Sequence, residues 1–229
     1  MWIIEKIYNV SVLFAILPGL FAIYKWKYFN LSLIFIGLQA IRGMVMGPLS
    51  LYLSSQNLNN SFLYFLSPCL DIILVSLMAY SILGFPKPVK YFISAICILF
   101  IVCMTLNNFF GMSLFKPYLS TFESIFVIIL LGLMLRHVLI NYKTGNYKKV
   151  LVWLIMAMFI GNLFSVLLSS FSGAIQSYSN ELQQALWFSI SPLIIIITSI
   201  MKMLGFSLLQ KKVKGNQLVS DSFKEIIAT

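Results

Sequence analysis

Residues 148–171 read Lys148-Lys149-Val150-Leu151-Val152-Trp153-Leu154-Ile155-Met156-Ala157-Met158-Phe159-Ile160-Gly161-Asn162-Leu163-Phe164-Ser165-Val166-Leu167-Leu168-Ser169-Ser170-Phe171. The 22 quoted positions behind the two lysines hold no charged residue, and the next one in the chain is Glu181. As a helix, a stretch of this length crosses the roughly 30 Å hydrocarbon core of a bilayer. In lipid the backbone must satisfy its own hydrogen bonds, which a continuous helix does. The run does not alternate apolar with polar residues, so it does not read as a barrel strand.

Working outward, six more stretches repeat the pattern. The predicted spans are 7–24, 31–53, 62–84, 91–112, 118–140, 148–171 and 184–208. Of the 229 residues, 60% are apolar and only 10% are charged, whereas a soluble domain carries about 25% charged residues. Mean hydropathy is +0.96. That composition excludes a soluble globular protein, and it excludes disorder, which requires low hydrophobicity. The expected fold is all-α, a single seven-helix transmembrane bundle over 1–209 with a short basic tail at 210–229. The connectors Asn57-Leu58-Asn59-Asn60, Phe85-Pro86-Lys87-Pro88 and Asn141-Tyr142-Lys143-Thr144-Gly145-Asn146 are rich in turn formers. None is long enough for a further domain. Glu5 beside Lys6, with no small-residue cleavage site after the first run, argues against a cleaved signal peptide.

The net charge of +10 is unevenly placed. Lys25 and Lys27 follow span 1, Lys87 and Lys90 follow span 3, and Arg136, Lys143, Lys148 and Lys149 surround the connector after span 5. Lys211, Lys212, Lys214 and Lys224 lie in the tail, while the opposite connectors hold only Lys116. The positive-inside rule then predicts an outside N-terminus and a cytoplasmic C-terminus. It also makes the bilayer, not nucleic acid, the partner of this charge. Trp26, Trp153 and Trp187 read as interfacial anchors. Arg136, His137 and the lysines near span ends are expected to snorkel to the headgroups.

Cys69, Cys97 and Cys103 sit inside apolar runs and read as buried small hydrophobes. His137 is the only histidine, and no Cys/His spacing fits a metal. No metal, no cofactor and no catalytic residue is therefore expected. Serine–histidine, HExxH, paired-aspartate and phosphatidyltransferase patterns are all missing, so an intramembrane enzyme is not the reading.

The informative residues are the polar ones inside the spans, because ionisable groups in a bilayer cost several kcal/mol and turn to the bundle interior. Arg42 falls near the middle of span 2 and Asp71 near the middle of span 3. Each lies roughly 16 Å from the cytoplasmic boundary at 1.5 Å per residue, so the two can meet. Gln39 lies one turn from Arg42, and Ser67 one turn from Asp71. The cluster reads either as a structural ion pair or as a ligand, proton or ion site. Glu123, flanked by Ser120 and Ser124, reads as an outer-interface residue or as part of a cavity mouth. Asn162, Ser165 and Ser169 form one stripe, and Ser191, Thr198 and Lys202 form another. Such stripes serve interhelical hydrogen bonds, yet together these faces enclose a small polar pocket open to the outside. The pocket candidates are Gln39, Arg42, Ser67, Asp71, Glu123, Asn162, Ser191 and Thr198.

Pro18, Pro48, Pro68 and Pro192 fall inside or at the edges of spans, where each frees a carbonyl and can kink its helix. Ser61-Phe62-Leu63-Tyr64-Phe65-Leu66-Ser67-Pro68 is echoed by Ala185-Leu186-Trp187-Phe188-Ser189-Ile190-Ser191-Pro192, and both helices close on Leu-Gly-Phe. The echo suits a three-plus-one-plus-three parallel repeat, as in small seven-helix sugar transporters. The paired proline–glutamine signature of that wider group is missing.

Several short motifs run through nearly the whole chain: Leu17-Pro18-Gly19-Leu20, Asn60-Ser61-Phe62-Leu63-Tyr64, Ser120-Thr121-Phe122-Glu123-Ser124, Gly161-Asn162-Leu163-Phe164, Leu186-Trp187 and Leu204-Gly205-Phe206. Through them the sequence resembles a group of poorly characterised seven-helix bacterial membrane proteins associated with two-component signalling. The resemblance implies a multi-pass protein of the bacterial inner membrane with a sensory or signalling accessory role. It implies a signalling protein as partner and no chemistry, and Lys202 is not part of it. The expected function is a receptor-like sensor with an outward polar pocket. The alternative is a small-solute transporter or channel, for which an oligomer is expected. A minor alternative is a retinal protein, because Lys202-Met203-Leu204-Gly205-Phe206 is similar to the lysine-glycine-phenylalanine run of microbial rhodopsins. Their helix-3 and helix-6 signatures are missing, and Thr198 stands where they carry a carboxylate. On that reading Lys202 is the Schiff-base residue, and otherwise it snorkels to the cytoplasmic headgroups.

Overall fold

The computed structural model describes residues 2–56, 58, 60–109, 116–142, 144–176 and 180–209. The expected tail at 210–229, with Lys211, Lys212, Lys214 and Lys224, lies outside the described residues, as do Asn57, Asn59 and Lys143. The side chains of Lys116, Ser169 and Trp187 do too.

Among the described residues the chain is all-α, with seven long helices: α1 Trp2–Lys25, α2 Leu31–Ser55, α3 Ser61–Leu83, α4 Lys87–Phe109, α5 Lys116–Asn141, α6 Asn146–Gln176 and α7 Asn180–Ser207. Seven segments of 18 to 25 residues are apolar enough to cross a membrane, one for each helix, the first running from α1 on to Tyr28. This is the construction of a multi-pass membrane protein. Large apolar side chains cover its outside, among them Leu13, Leu20, Val45, Phe92, Leu99, Ile129 and Leu193. In water such a surface would aggregate, and in lipid it is solvated.

Local chemistry sets the ends. A 3-10 turn, Trp26–Tyr28, separates α1 from α2. Asn30 then caps α2, its side chain accepting the Leu33 N–H at 3.1 Å. Gly84 closes α3 in the left-handed conformation at φ 58°, which a residue without Cβ adopts freely. The following α4 begins at Lys87, within the predicted connector. Pro86 O accepts the Val89 N–H at 3.0 Å, and Pro88 sits in the first turn, where a missing N–H costs nothing. At the far end of α5, Lys148 Nζ donates to Leu139 O at 2.7 Å and to Tyr142 O at 3.2 Å, tying α6 to the carbonyls that end α5.

The packing is a closed ring of six helices. Going round, α1 packs on α2, α2 on α3, α3 on α5, α5 on α6, α6 on α7, and α7 back on α1. The remaining helix, α4, leans on α3 and α5 from outside the ring. Its outer face presents Tyr91, Phe92, Ile98, Leu99, Val102 and Leu106. Two glycines allow close crossings. A Cβ on Gly19 of α1 would lie 2.6 Å from Met44 Cβ of α2, and one on Gly205 of α7 would lie 2.8 Å from Leu154 Cγ of α6. In lipid, helices associate through such close packing and not through hydrophobic exclusion. Cys69 and Cys97 are buried and Cys103 half-buried, all as free thiols. His137 Nδ1 lies 2.9 Å from Asn141 Nδ2, one turn along the same helix.

Candidate functional site

Near mid-membrane α2 and α3 are joined by a polar cluster. Arg42 Nη2 lies 2.7 Å from Asp71 Oδ1. Arg42 Nε donates to Gln39 Oε1 at 3.2 Å. Gln39 Nε2 donates to Asp71 Oδ1, and Arg42 Nη1 donates to Ser67 Oγ. The spacing explains the arrangement. Gln39 and Arg42 share one face of α2 at i, i+3, while Ser67 and Asp71 share one face of α3 at i, i+4. Gln39 works in both directions, accepting from the guanidinium through its carbonyl and donating to the carboxylate through its amide. The guanidinium thus has three of its polar directions taken inside the cluster, and the carboxylate has two donors.

This cluster forms one wall of a cavity of about 330 Å³. Gln39, Arg42 and Asp71 line it from one side, and α6 and α7 close it from the other with Asn162, Ser165, Ser191, Thr198 and Lys202. Along α7 the lining runs from Ser191 to Lys202, about 16 Å of helix. From Lys202 it reaches toward the end of the bundle that carries the α2–α3 connection. The apolar part of the wall comes from Ala157, Met158, Gly161, Phe164, Ile194 and Ile195.

The polar groups on α6 and α7 are partly turned to their own helices. Asn162 Nδ2 donates to Met158 O at 2.9 Å, Ser165 Oγ to Gly161 O at 3.0 Å, and Thr198 Oγ1 to Ile194 O at 2.8 Å. The Ser165 and Thr198 hydroxyl hydrogens are therefore engaged, and so is one of the two Asn162 amide hydrogens. Lys202 differs: among the described residues no hydrogen bond or ion pair engages it.

Six of the eight pocket candidates therefore share this cavity: Gln39, Arg42, Asp71, Asn162, Ser191 and Thr198. Ser67 is bonded to Arg42 but is not part of the lining. Glu123 requires a correction, because it is neither in the lining nor at a wet interface. It is buried, 6% exposed, with Ser124 Oγ donating to its Oε2 at 3.2 Å. It belongs to the inward stripe Glu123, Val127, Leu130, Leu131 and Met134 of α5, while Phe122 and Ile125 face outward. Lys202 requires another. The expected snorkelling to the headgroups does not occur, since the side chain lines the same cavity as Asp71. Helical side chains lean toward the helix N-terminus. On α7 that lean carries the lysine stem back toward mid-membrane. The seven-residue and four-residue steps from Ser191 to Thr198 to Lys202 were the signal in the sequence.

Comparison of the chain with protein-family models, with curated proteins and with solved structures finds no match in any of the three.

Proposed function

We propose that this chain is a ligand-binding membrane protein, a receptor-like sensor that takes up a small polar solute in the cavity between α2, α3, α6 and α7. The observation that carries the reading is the cavity itself. About 330 Å³ of space at mid-membrane is lined by two cationic side chains, a carboxylate, two amides and three hydroxyls. Hydrophilic space at this depth is costly to maintain, and ionisable groups in a membrane mark function by default. The lysine asymmetry supports an orientation with the N-terminus outside, so the cavity faces outward. The resemblance to two-component-associated proteins supports the bacterial inner membrane and signal output through a partner at the cytoplasmic face. The reading needs no cofactor and no catalysis.

One observation favours transport as a second reading. Helices α1–α3 and α5–α7 follow one another round the ring in the same order, with α4 outside. The Ser-Pro pairs at Ser67-Pro68 and Ser191-Pro192 fall on corresponding helices, α3 and α7. Transporters built from parallel repeats place their solute between such halves.

The test is a thermal-shift series on the purified chain in detergent with lactate, glycerol and ethanolamine as anionic, neutral and cationic probes. Gly161 lines the cavity and has room beside it, so Gly161→Leu fills the space. A saturable stabilisation by any probe that Gly161→Leu removes supports the reading. Stabilisation by none of them overturns it. Uptake of the binding probe into liposomes then separates the outputs, because a sensor moves nothing.

A further inference from the structure

The ligand class can be read from how charge and hydrogen-bonding capacity are distributed round the cavity. The Arg42–Asp71 pair is neutral as a unit, and its members are occupied with each other, Gln39 and Ser67. Glu123, the other buried carboxylate, is outside the lining and takes the Ser124 hydroxyl. What remains is Lys202, a cation with no hydrogen bond or ion pair among the described residues, facing the space. The lining therefore carries one more cationic than anionic side chain, Arg42 and Lys202 against Asp71. A half-buried ammonium without a hydrogen-bonded partner is costly, and an anionic ligand at Lys202 lowers that cost through a charge-assisted hydrogen bond.

The opposite wall asks for something else. Asn162 has donated one of its two amide hydrogens and Thr198 its hydroxyl hydrogen to carbonyls of their own helices, so they present two acceptor oxygens and one amide N–H. A ligand that satisfies them must bring donors. A bare halide brings none and leaves most of the space empty. A cavity of about 330 Å³ corresponds to roughly ten water molecules at about 30 Å³ each, room for a small organic molecule. We propose that the cavity binds a small hydroxylated monocarboxylate, its carboxylate on Lys202 and its hydroxyls on the acceptors of α6 and α7. This deepens the solute-binding reading above and rests on it.

The experiment compares near-isosteric probes on the full chain in detergent, in chloride-free buffer. Lactate tests the proposal, lactamide removes the charge, propionate removes the hydroxyl, alanine makes the molecule net neutral, and chloride supplies a bare anion. The expected result is a saturable rise in Tm with lactate, a smaller rise with propionate, and none with lactamide, alanine or chloride. Lys202→Gln should weaken lactate binding by about tenfold or more, the loss of a charge-assisted bond, and Lys202→Arg should retain most of it. Lactamide or alanine matching lactate overturns the assignment of charge while leaving a binding cavity in place. Propionate or chloride matching lactate overturns the hydroxylated class. Undiminished lactate binding in Lys202→Gln removes Lys202 from the site. Should lactate fail while glycerol or ethanolamine binds, the anion proposal falls and the cavity reading survives. Failure of all probes takes both.

Discussion

Arg42 Nη2 and Asp71 Oδ1 stand 2.7 Å apart on neighbouring antiparallel helices, and Gln39 bonds to both residues. Removing one partner leaves a half-buried charge without its nearest counter-ion, a loss below the roughly 3–5 kcal/mol of a fully buried pair. Removing both eliminates the charge and the need for it. Thermal unfolding in detergent of Arg42→Gln, Asp71→Asn and the double mutant forms a cycle. The double mutant is expected to be more stable than the sum of the two single losses allows. Strict additivity would mean that the pair is not an energetic unit.

The close crossing of α6 and α7 gives a packing prediction. A Cβ at Gly205 would meet Leu154 Cγ and Cδ2 at 2.8 Å, and Leu154 is fully buried with nowhere to retreat. Gly205→Val should therefore cost about 1–3 kcal/mol, the usual range for overpacking. Gly43 is the control, because an added Cβ there meets nothing within 4 Å. Gly43→Ala should leave the melting temperature unchanged or slightly raised, since alanine is the better helix former. Equal losses at both positions would show that the α6–α7 approach is looser than described.

What the sequence reveals about this protein follows from the physics of lipid. A run such as Val150–Phe171 must be helical, so the seven helices are legible at once. The polar cluster is legible too, because Arg42 and Asp71 are conspicuous in apolar surroundings and fall at equal depth. Four things are not legible. Pro86 and Pro88 signal a turn, yet Pro88 fits the first turn of a helix equally well, so α4 starts earlier than expected. Glu123 sits in a helix apolar on every side, where no amphipathic contrast tells the inward face from the lipid-facing one. Lys202 is near the predicted cytoplasmic boundary by linear depth, but the backward lean of its side chain decides where the ammonium goes. The ring order, with α4 outside, is a property of packing between helices and leaves no local trace.

Orientation can be tested at two exposed residues at opposite ends of the bundle. Leu58 lies in the α2–α3 connection and Thr144 in the α5–α6 turn. In a background with Cys69, Cys97 and Cys103 replaced, Leu58→Cys on intact cells should react with a membrane-impermeant thiol reagent. Thr144→Cys should react only after the membrane is permeabilised. The opposite pattern would invert the topology and turn the cavity toward the cytoplasm.

Lys202 and Asp71 facing one cavity brings the retinal alternative into sharper focus, because a lysine and a carboxylate counter-ion are two of its three requirements. The third is an aromatic cage along the polyene. Phe164 is the one aromatic side chain among the lining residues. Gln39, Asn162, Ser165, Ser191 and Thr198 would instead be pressed against hydrocarbon with their polar atoms unsatisfied. A Schiff base also needs a neutral amine, whereas the anion-binding role assigned to Lys202 needs a charged one. All-trans retinal added to the purified protein is therefore expected to give no red-shifted visible band, in wild type or in Lys202→Ala. A band that forms in wild type and disappears in Lys202→Ala would replace solute binding with a photochemical role for this cavity. Lactate should then compete with retinal for the same lysine, and its loss of effect in the pigment would fix both ligands to one site.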